Sequence, residues 1–177
     1  RTCCNDDELA GVKTVGQFVK ISKAGGNTSH LTISALSGFD FFNGSPVRQV
    51  EELYGRGFRG IAIPGHRLIL NDRRVYLNSP EMMEMFKLME RKGMILSICL
   101  AENHQQMDEI KEVIAECPEL KIAIGHFGMV TQPGWEDQIM LARNKNVYVE
   151  SGGITWLFNS EFYPYPSAVR AIREAID

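Results

Sequence analysis

Residues 119–129 read Glu-Leu-Lys-Ile-Ala-Ile-Gly-His-Phe-Gly-Met, and this stretch decides the fold. Leu120, Ile122 and Ile124 are β-formers bounded by Pro118 and Gly125, the pattern of a short strand buried on both faces. A polar residue has no place inside such a strand, so His126 is expected where the chain leaves the core. In α/β sheets and barrels that carboxyl end is where ligands bind. Gly125 and Gly128 on either side of the histidine let backbone or ligand approach closely.

Outward from this strand the grammar repeats. Ser45-Pro46 is an N-cap with proline at the first helical position, Val47, Val50, Leu53 and Tyr54 mark one helix face, and Gly55 is the expected stop. A strand over 58–63 closes at Pro64-Gly65. Ser79-Pro80 opens a second helix with Met82, Met85, Phe86 and Met89 on its buried stripe, which reads as core packing, and Gly93 as its stop. A strand over 94–100 precedes a helix striped by Met107, Ile110, Val113, Ile114 and Cys117. Beyond 120–124 come a helix over 135–142, a strand over 147–150 and a last helix that carries Val169, Ile172 and Ile176. Upstream, residues 1–30 are poorly defined, with a weak helical period over 8–24, and a further strand is expected over 31–36.

Each strand-and-helix unit takes about 30 residues, the size of a β-α-β crossover. Five strands of this kind imply a parallel sheet covered by helices. They suffice for a doubly wound sheet but not for an eight-stranded barrel, which usually takes about 250 residues. The chain starts on Arg1 and stops at Asp177 behind a helical pattern, so a chain cut at both ends is expected.

Composition narrows the classes. The 177 residues are 44% hydrophobic and 23% charged, with a net charge of −3, and show no Lys/Arg cluster. A nucleic-acid footprint and a membrane helix are therefore not expected. The four cysteines, Cys3, Cys4, Cys99 and Cys117, contain no C-x-x-C pair and read as reduced thiols of a cytoplasmic protein. Asn27-Thr28-Ser29 matches a glycosylation sequon, to which no weight is attached without a signal peptide.

The combination PELKIAIGHFGM, NVYVESGGI and YPSAVRAIREAID resembles the amidohydrolase-2 group of the amidohydrolase superfamily over residues 45–177. The resemblance implies a (β/α)8 TIM barrel, here a single partial barrel domain over 1–177 of about five β-α units. The first two strands and the last would be missing. It also implies a hydrolase or lactonase acting by water attack on a small carboxylated substrate, with a decarboxylase as the alternative. That family completes its site with a His-x-His on the first strand and an Asp on the eighth, and this chain contains neither motif. Metal-dependent members end the fifth strand on a histidine; here the strand tip reads Ser97-Ile98-Cys99-Leu100-Ala101-Glu102, with His104 only later. Phe58-Arg59-Gly60-Ile61 followed by Arg67 is similar to the lactonase branch, which needs no tightly held metal. A divalent ion, zinc or manganese, thus stays open beside a metal-free reading.

Among single residues, His126 is the candidate catalytic residue and metal ligand, with a hydrogen-bonded core imidazole as the plain alternative. Glu150 shares a strand face with Tyr148 and is a candidate acid/base or partner of His126, or a rim carboxylate in water. Arg67 can pair with a substrate carboxylate through its planar fork, or stand solvated. Asn103 and His104 can bind substrate or cap the next helix. His30 takes no role. Trp156, with the following Leu157, Phe158, Phe162, Tyr163 and Tyr165, can wall a pocket or pack beneath the last helix. If these residues form the whole product, open sheet edges would favour an inactive chain or a homo-oligomer.

Overall fold

The computed structural model describes residues 40–101 and 104–176. The expected helix over 8–24, the strand over 31–36, His30, the sequon, Cys3, Cys4 and Asn103 lie outside the described residues. Among those described, four strands form one parallel sheet in chain order: β1 (Gly60–Pro64), β2 (Ile95–Cys99), β3 (Lys121–Ile124) and β4 (Val147–Val149). The principal helices are α1 (Pro46–Gly55), α2 (Pro80–Arg91), α3 (Met107–Glu116), α4 (Trp135–Met140), α5 (Ile154–Leu157) and α6 (Pro166–Ile176).

Local chemistry explains the helix ends. Ser45 Oγ accepts the Arg48 amide, and proline occupies the first position of both α1 and α2, where no amide is needed. Both helices finish in the same backbone motif. Gly57 N donates to Tyr54 O and Phe58 N to Leu53 O; Gly93 N donates to Glu90 O and Met94 N to Met89 O. The left-handed residues are Gly57 (φ 96°) and Gly93 (φ 62°). Gly93 is the stop expected from sequence, whereas Gly55 is the last residue of α1 and Gly57 terminates it. In each case the residue after the glycine, Phe58 or Met94, is buried and leads straight into a strand.

The core lies between the sheet and α1–α3. Ile61 and Ile63 of β1, Leu96 and Ile98 of β2, Ile122 and Ile124 of β3 and Val147 of β4 meet Val50, Leu53, Met82, Met85, Phe86, Met89, Ile110, Val113 and Cys117. The methionine stripe is core, as its spacing predicts. Full burial of each such side chain contributes about 1.5–3 kcal/mol as an upper estimate.

β1 is buried on both faces, but β2, β3 and β4 are not. Lys121 is exposed, Ile95, Ser97, Cys99 and Ala123 are half-buried, and Tyr148 is 54% exposed. This second face is the one a closed barrel turns to its interior, and the helices cannot reach it. α6 also departs from the sequence reading. Val169 is 40% exposed, while Ala168 and Ala171 are buried, the latter beside Phe127 and Val130. Alanines there let the helix approach closely.

Candidate functional site

Immediately after β3 the chain makes one turn of left-handed helix. His126, Phe127, Gly128 and Met129 have φ of 53°, 54°, 65° and 58°. Three of these residues carry a Cβ, which opposes this conformation by about 1–2 kcal/mol each. One tertiary bond, one local bond and a buried ring hold the turn. Phe127 N donates to Glu150 O at 2.8 Å, Gly128 N donates to Gly125 O at 3.0 Å, and the Phe127 ring is buried. Strain of this size concentrated in one turn at a sheet's carboxyl end marks a place where geometry matters more than stability.

The strand-β4 connection grips the His126 ring. Nδ1 lies 2.8 Å from Gly152 O. A carbonyl only accepts, so Nδ1 carries the proton and Nε2 is the nitrogen left to accept one or to bind a ligand. Gly153 has φ 75°, and a Cβ there would stand 2.8 Å from Nδ1. Trp156 stacks on the imidazole with ring centroids 5.7 Å apart and an interplanar angle of 24°. His126 is therefore seated by one bond, one absent side chain and one aromatic face, all from residues 152–156.

The other expected residues are placed as follows. Glu150 follows β4 on the same side as Tyr148; its Oε2 accepts from Ser97 Oγ at 2.9 Å. Trp156 is 55% exposed beside His126, so these two and Glu150 come together at the carboxyl end of β3 and β4. Arg67 is exposed in the turn Gly65–Leu68 after β1. His104 has φ 58° and directs Nδ1 to Asp137 Oδ2 at 3.5 Å, its ring pressed on Gly134, where a Cβ would meet Nε2 at 2.3 Å. That contact links the β2 and β3 connections and faces Nε2 toward backbone. The aromatic connection divides: Leu157 and Phe158 pack with Ala171 and Ile172, whereas Phe162 (91%) and Tyr163 (89%) are exposed.

Several contributors were missed from sequence. Gln106 is fully buried: its Oε1 accepts Ala101 N at 2.9 Å and its Nε2 donates to Gly65 O at 3.1 Å, joining the β1 and β2 connections. Glu109 pairs with Arg74 and accepts Leu77 N at 2.7 Å, tying the segment after β1 to α3. The Gly152-Gly153 doublet was the visible signal for the His126 seat. Ser97 carried no signal without the strand register.

A divalent ion needs more than one histidine; catalytic zinc takes about three protein ligands. Among the described residues no three His, Cys, Asp or Glu side chains stand close enough to hold one. His126 Nε2 does not make such a set by itself, so the described residues alone do not fit a catalytic zinc or manganese centre.

The family model described as Amidohydrolase (Amidohydro_2) matches residues 39–177. The chain belongs to the amidohydrolase-2 family. Among solved structures, this amidohydrolase-2 chain is similar to a probable 2-pyrone-4,6-dicarboxylic acid hydrolase from Acinetobacter baumannii with citric acid bound. The identity is 14% and the TM-score 0.60, over 92% of this chain and 67% of that one. It is also similar to an uncharacterised TIM-barrel protein from Bordetella bronchiseptica, at 14% identity and a TM-score of 0.54. That match covers 78% of this chain and 48% of the other, so the chain spans about half the length of the Bordetella protein. These likenesses establish the fold: the four parallel strands and their helices are part of a TIM-barrel wall. No curated protein matches the chain. Among the described residues no helix is long and apolar enough to cross a membrane.

Proposed function

We propose that this chain carries the central wall of a hydrolase that opens a lactone or ester bond in a small carboxylated substrate by water attack. The observation that carries the reading is the Nδ1–Gly152 O bond, which fixes the tautomer of His126 and leaves Nε2 as a proton acceptor. In the proposed step Nε2 takes a proton from water as its oxygen adds to the acyl carbon. The carbon–oxygen bond then breaks and the proton passes from Nε2 to the leaving oxygen. Glu150, whose backbone carbonyl braces the strained turn and whose carboxylate lies on the inner face, acts as the second acid/base group. Arg67 at the end of β1 pairs with the substrate carboxylate. The substrate class is supported by the printed name of the Acinetobacter protein, a hydrolase of a dicarboxylic 2-pyrone.

The test uses the full chain with 2-pyrone-4,6-dicarboxylate as probe. Ring opening is expected, and His126→Asn, which tolerates the left-handed conformation, should lose about 10²–10⁴-fold in kcat while staying folded, with Tm lowered by only a few degrees. A His126→Asn variant of undiminished activity would refute the role of His126. Failure to open any of a panel of carboxylated lactones and esters would refute the hydrolase reading, and carbon dioxide release would assign a decarboxylase.

A further inference from the structure

On the face of β3 turned away from the helices, Lys121 is followed by Ala123 and then, just beyond the strand, by Gly125, the two smallest residue types. In register Ser97 sits beside Ala123, and Ala123 beside Tyr148. Glu150, two residues past Tyr148, projects to the same side. β2 and β4 are not neighbours; β3 separates them, which places their backbones about 9.5 Å apart. Yet Ser97 Oγ donates to Glu150 Oε2 at 2.9 Å. The carboxylate reaches the hydroxyl by lying across β3, where there is little to obstruct it. A Cβ on Gly125 would already touch Oε2 at 3.7 Å, and a longer side chain there would occupy the crossing.

We propose that Ser97 is a positioning residue for Glu150: it pins Oε2 across β3 and leaves Oε1 as the oxygen that exchanges a proton with the substrate. The catalytic half of this rests on the acid/base role proposed for Glu150; the contact itself does not. A glutamate on a strand end has three rotatable bonds, and ordering such a side chain costs conformational entropy that one hydroxyl bond here offsets. Without the Ser97 hydroxyl the carboxylate is free to swing away from the inner face.

The experiment uses the full chain with carboxyl-13C glutamate. The Glu150 resonance is assigned by its loss in Glu150→Ala. Ser97→Ala is expected to move that resonance and Ser97→Thr, which keeps the hydroxyl, to restore it. Unfolding of Ser97→Ala, Glu150→Ala and the double variant should be non-additive by about 3–10-fold in the equilibrium constant. With 2-pyrone-4,6-dicarboxylate, Ser97→Ala should lower kcat about tenfold with KM within about twofold, and Ser97→Thr should recover it. An unmoved resonance with an additive cycle overturns the contact. A moved resonance with unchanged kcat, beside a crippled Glu150→Gln, overturns the positioning role and leaves Glu150 as acid/base. A fully active Glu150→Gln overturns the catalytic half. If the probe is not turned over, the substrate reading fails, while the resonance and the cycle still decide whether Ser97 holds the carboxylate.

Discussion

Gly152 and Gly153 are adjacent, yet alanine should affect them very differently. At Gly153 the backbone has φ 75°, and a Cβ would stand 2.8 Å from His126 Nδ1. The left-handed conformation costs an alanine about 1–2 kcal/mol. Displacing the imidazole also breaks its bond to Gly152 O, a further loss of about 0.5–1.5 kcal/mol. Gly153→Ala should therefore destabilise by about 2–3 kcal/mol, which in a domain of this length lowers Tm by about 4–12 °C. At Gly152 a Cβ meets nothing within 4 Å and φ is not positive, so Gly152→Ala should stay within about 0.5 kcal/mol of wild type. Melting followed by circular dichroism measures the first effect. Nitrogen-15 NMR of the imidazole measures the second: Nδ1 should carry the proton in wild type and Gly152→Ala, and its resonance should move in Gly153→Ala. Equal stabilities and an unmoved ring in both variants would refute the seat described for His126.

Other consequences are simpler to check. Gln106→Met keeps volume but orphans Ala101 N and Gly65 O in the core, so urea denaturation should show a loss of about 2–4 kcal/mol; an unchanged midpoint would deny the bridge. Burial, with a smaller contribution from Glu90, pushes the Cys117 thiol from 9.0 up to about 11, so iodoacetamide at pH 8 should label it only after unfolding. Because the folded thiol holds its proton more tightly than the unfolded one, its contribution is intact below pH 9 and is lost as pH rises toward 11. Cys117→Ser should flatten that decline, and an identical slope would count against it. On α6, Val169→Glu should leave the melt almost unchanged, whereas Ala171→Glu buries a carboxylate against Phe127 and should cost about 3 kcal/mol or more. The reverse ranking would restore the face expected from sequence.

Much of this was readable because local rules and tertiary packing agree. The caps at Ser45-Pro46 and Ser79-Pro80, the Met82–Met89 stripe and the strand before His126 each announce themselves by residue type and spacing. Tyr148 and Glu150 share a face because strand alternation admits one answer once Val147 is inside. The left-handed turn was not readable: Phe127 and Met129 have no local preference for positive φ, and the conformation is imposed by the Glu150 carbonyl and the Phe127 pocket. α5 is too short to show a period. On α6 the spacing points correctly to Ile172, which packs on the Phe127 cluster, but not to Ala168 and Ala171, because an alanine carries too weak a hydrophobic signal to displace Val169. The Ser97–Glu150 bond depends on a register that no single strand reveals.

The paired helix endings at Gly57 and Gly93 divide the kinds of change this chain can absorb. On that side of the sheet helix and strand are joined by residues 56–59 and 92–94, closed on themselves by backbone bonds and a buried Phe58 or Met94. An insertion there breaks a motif that has no slack. On the opposite side residues 65–79 and 150–165 are long connections, broken only by the turn Gly65–Leu68 and the short α5, and they hold Arg67, Glu150 and Trp156. Away from Gly65, Leu68, Leu77 and Gly153, which the core and the His126 seat require, those segments can be lengthened, shortened or rewritten while the short turns below keep the frame. Tolerance to change is thus unevenly shared along the chain, and a library confined to the solvent-exposed positions of the long connections should yield far more folded variants than one of equal size in the short ones.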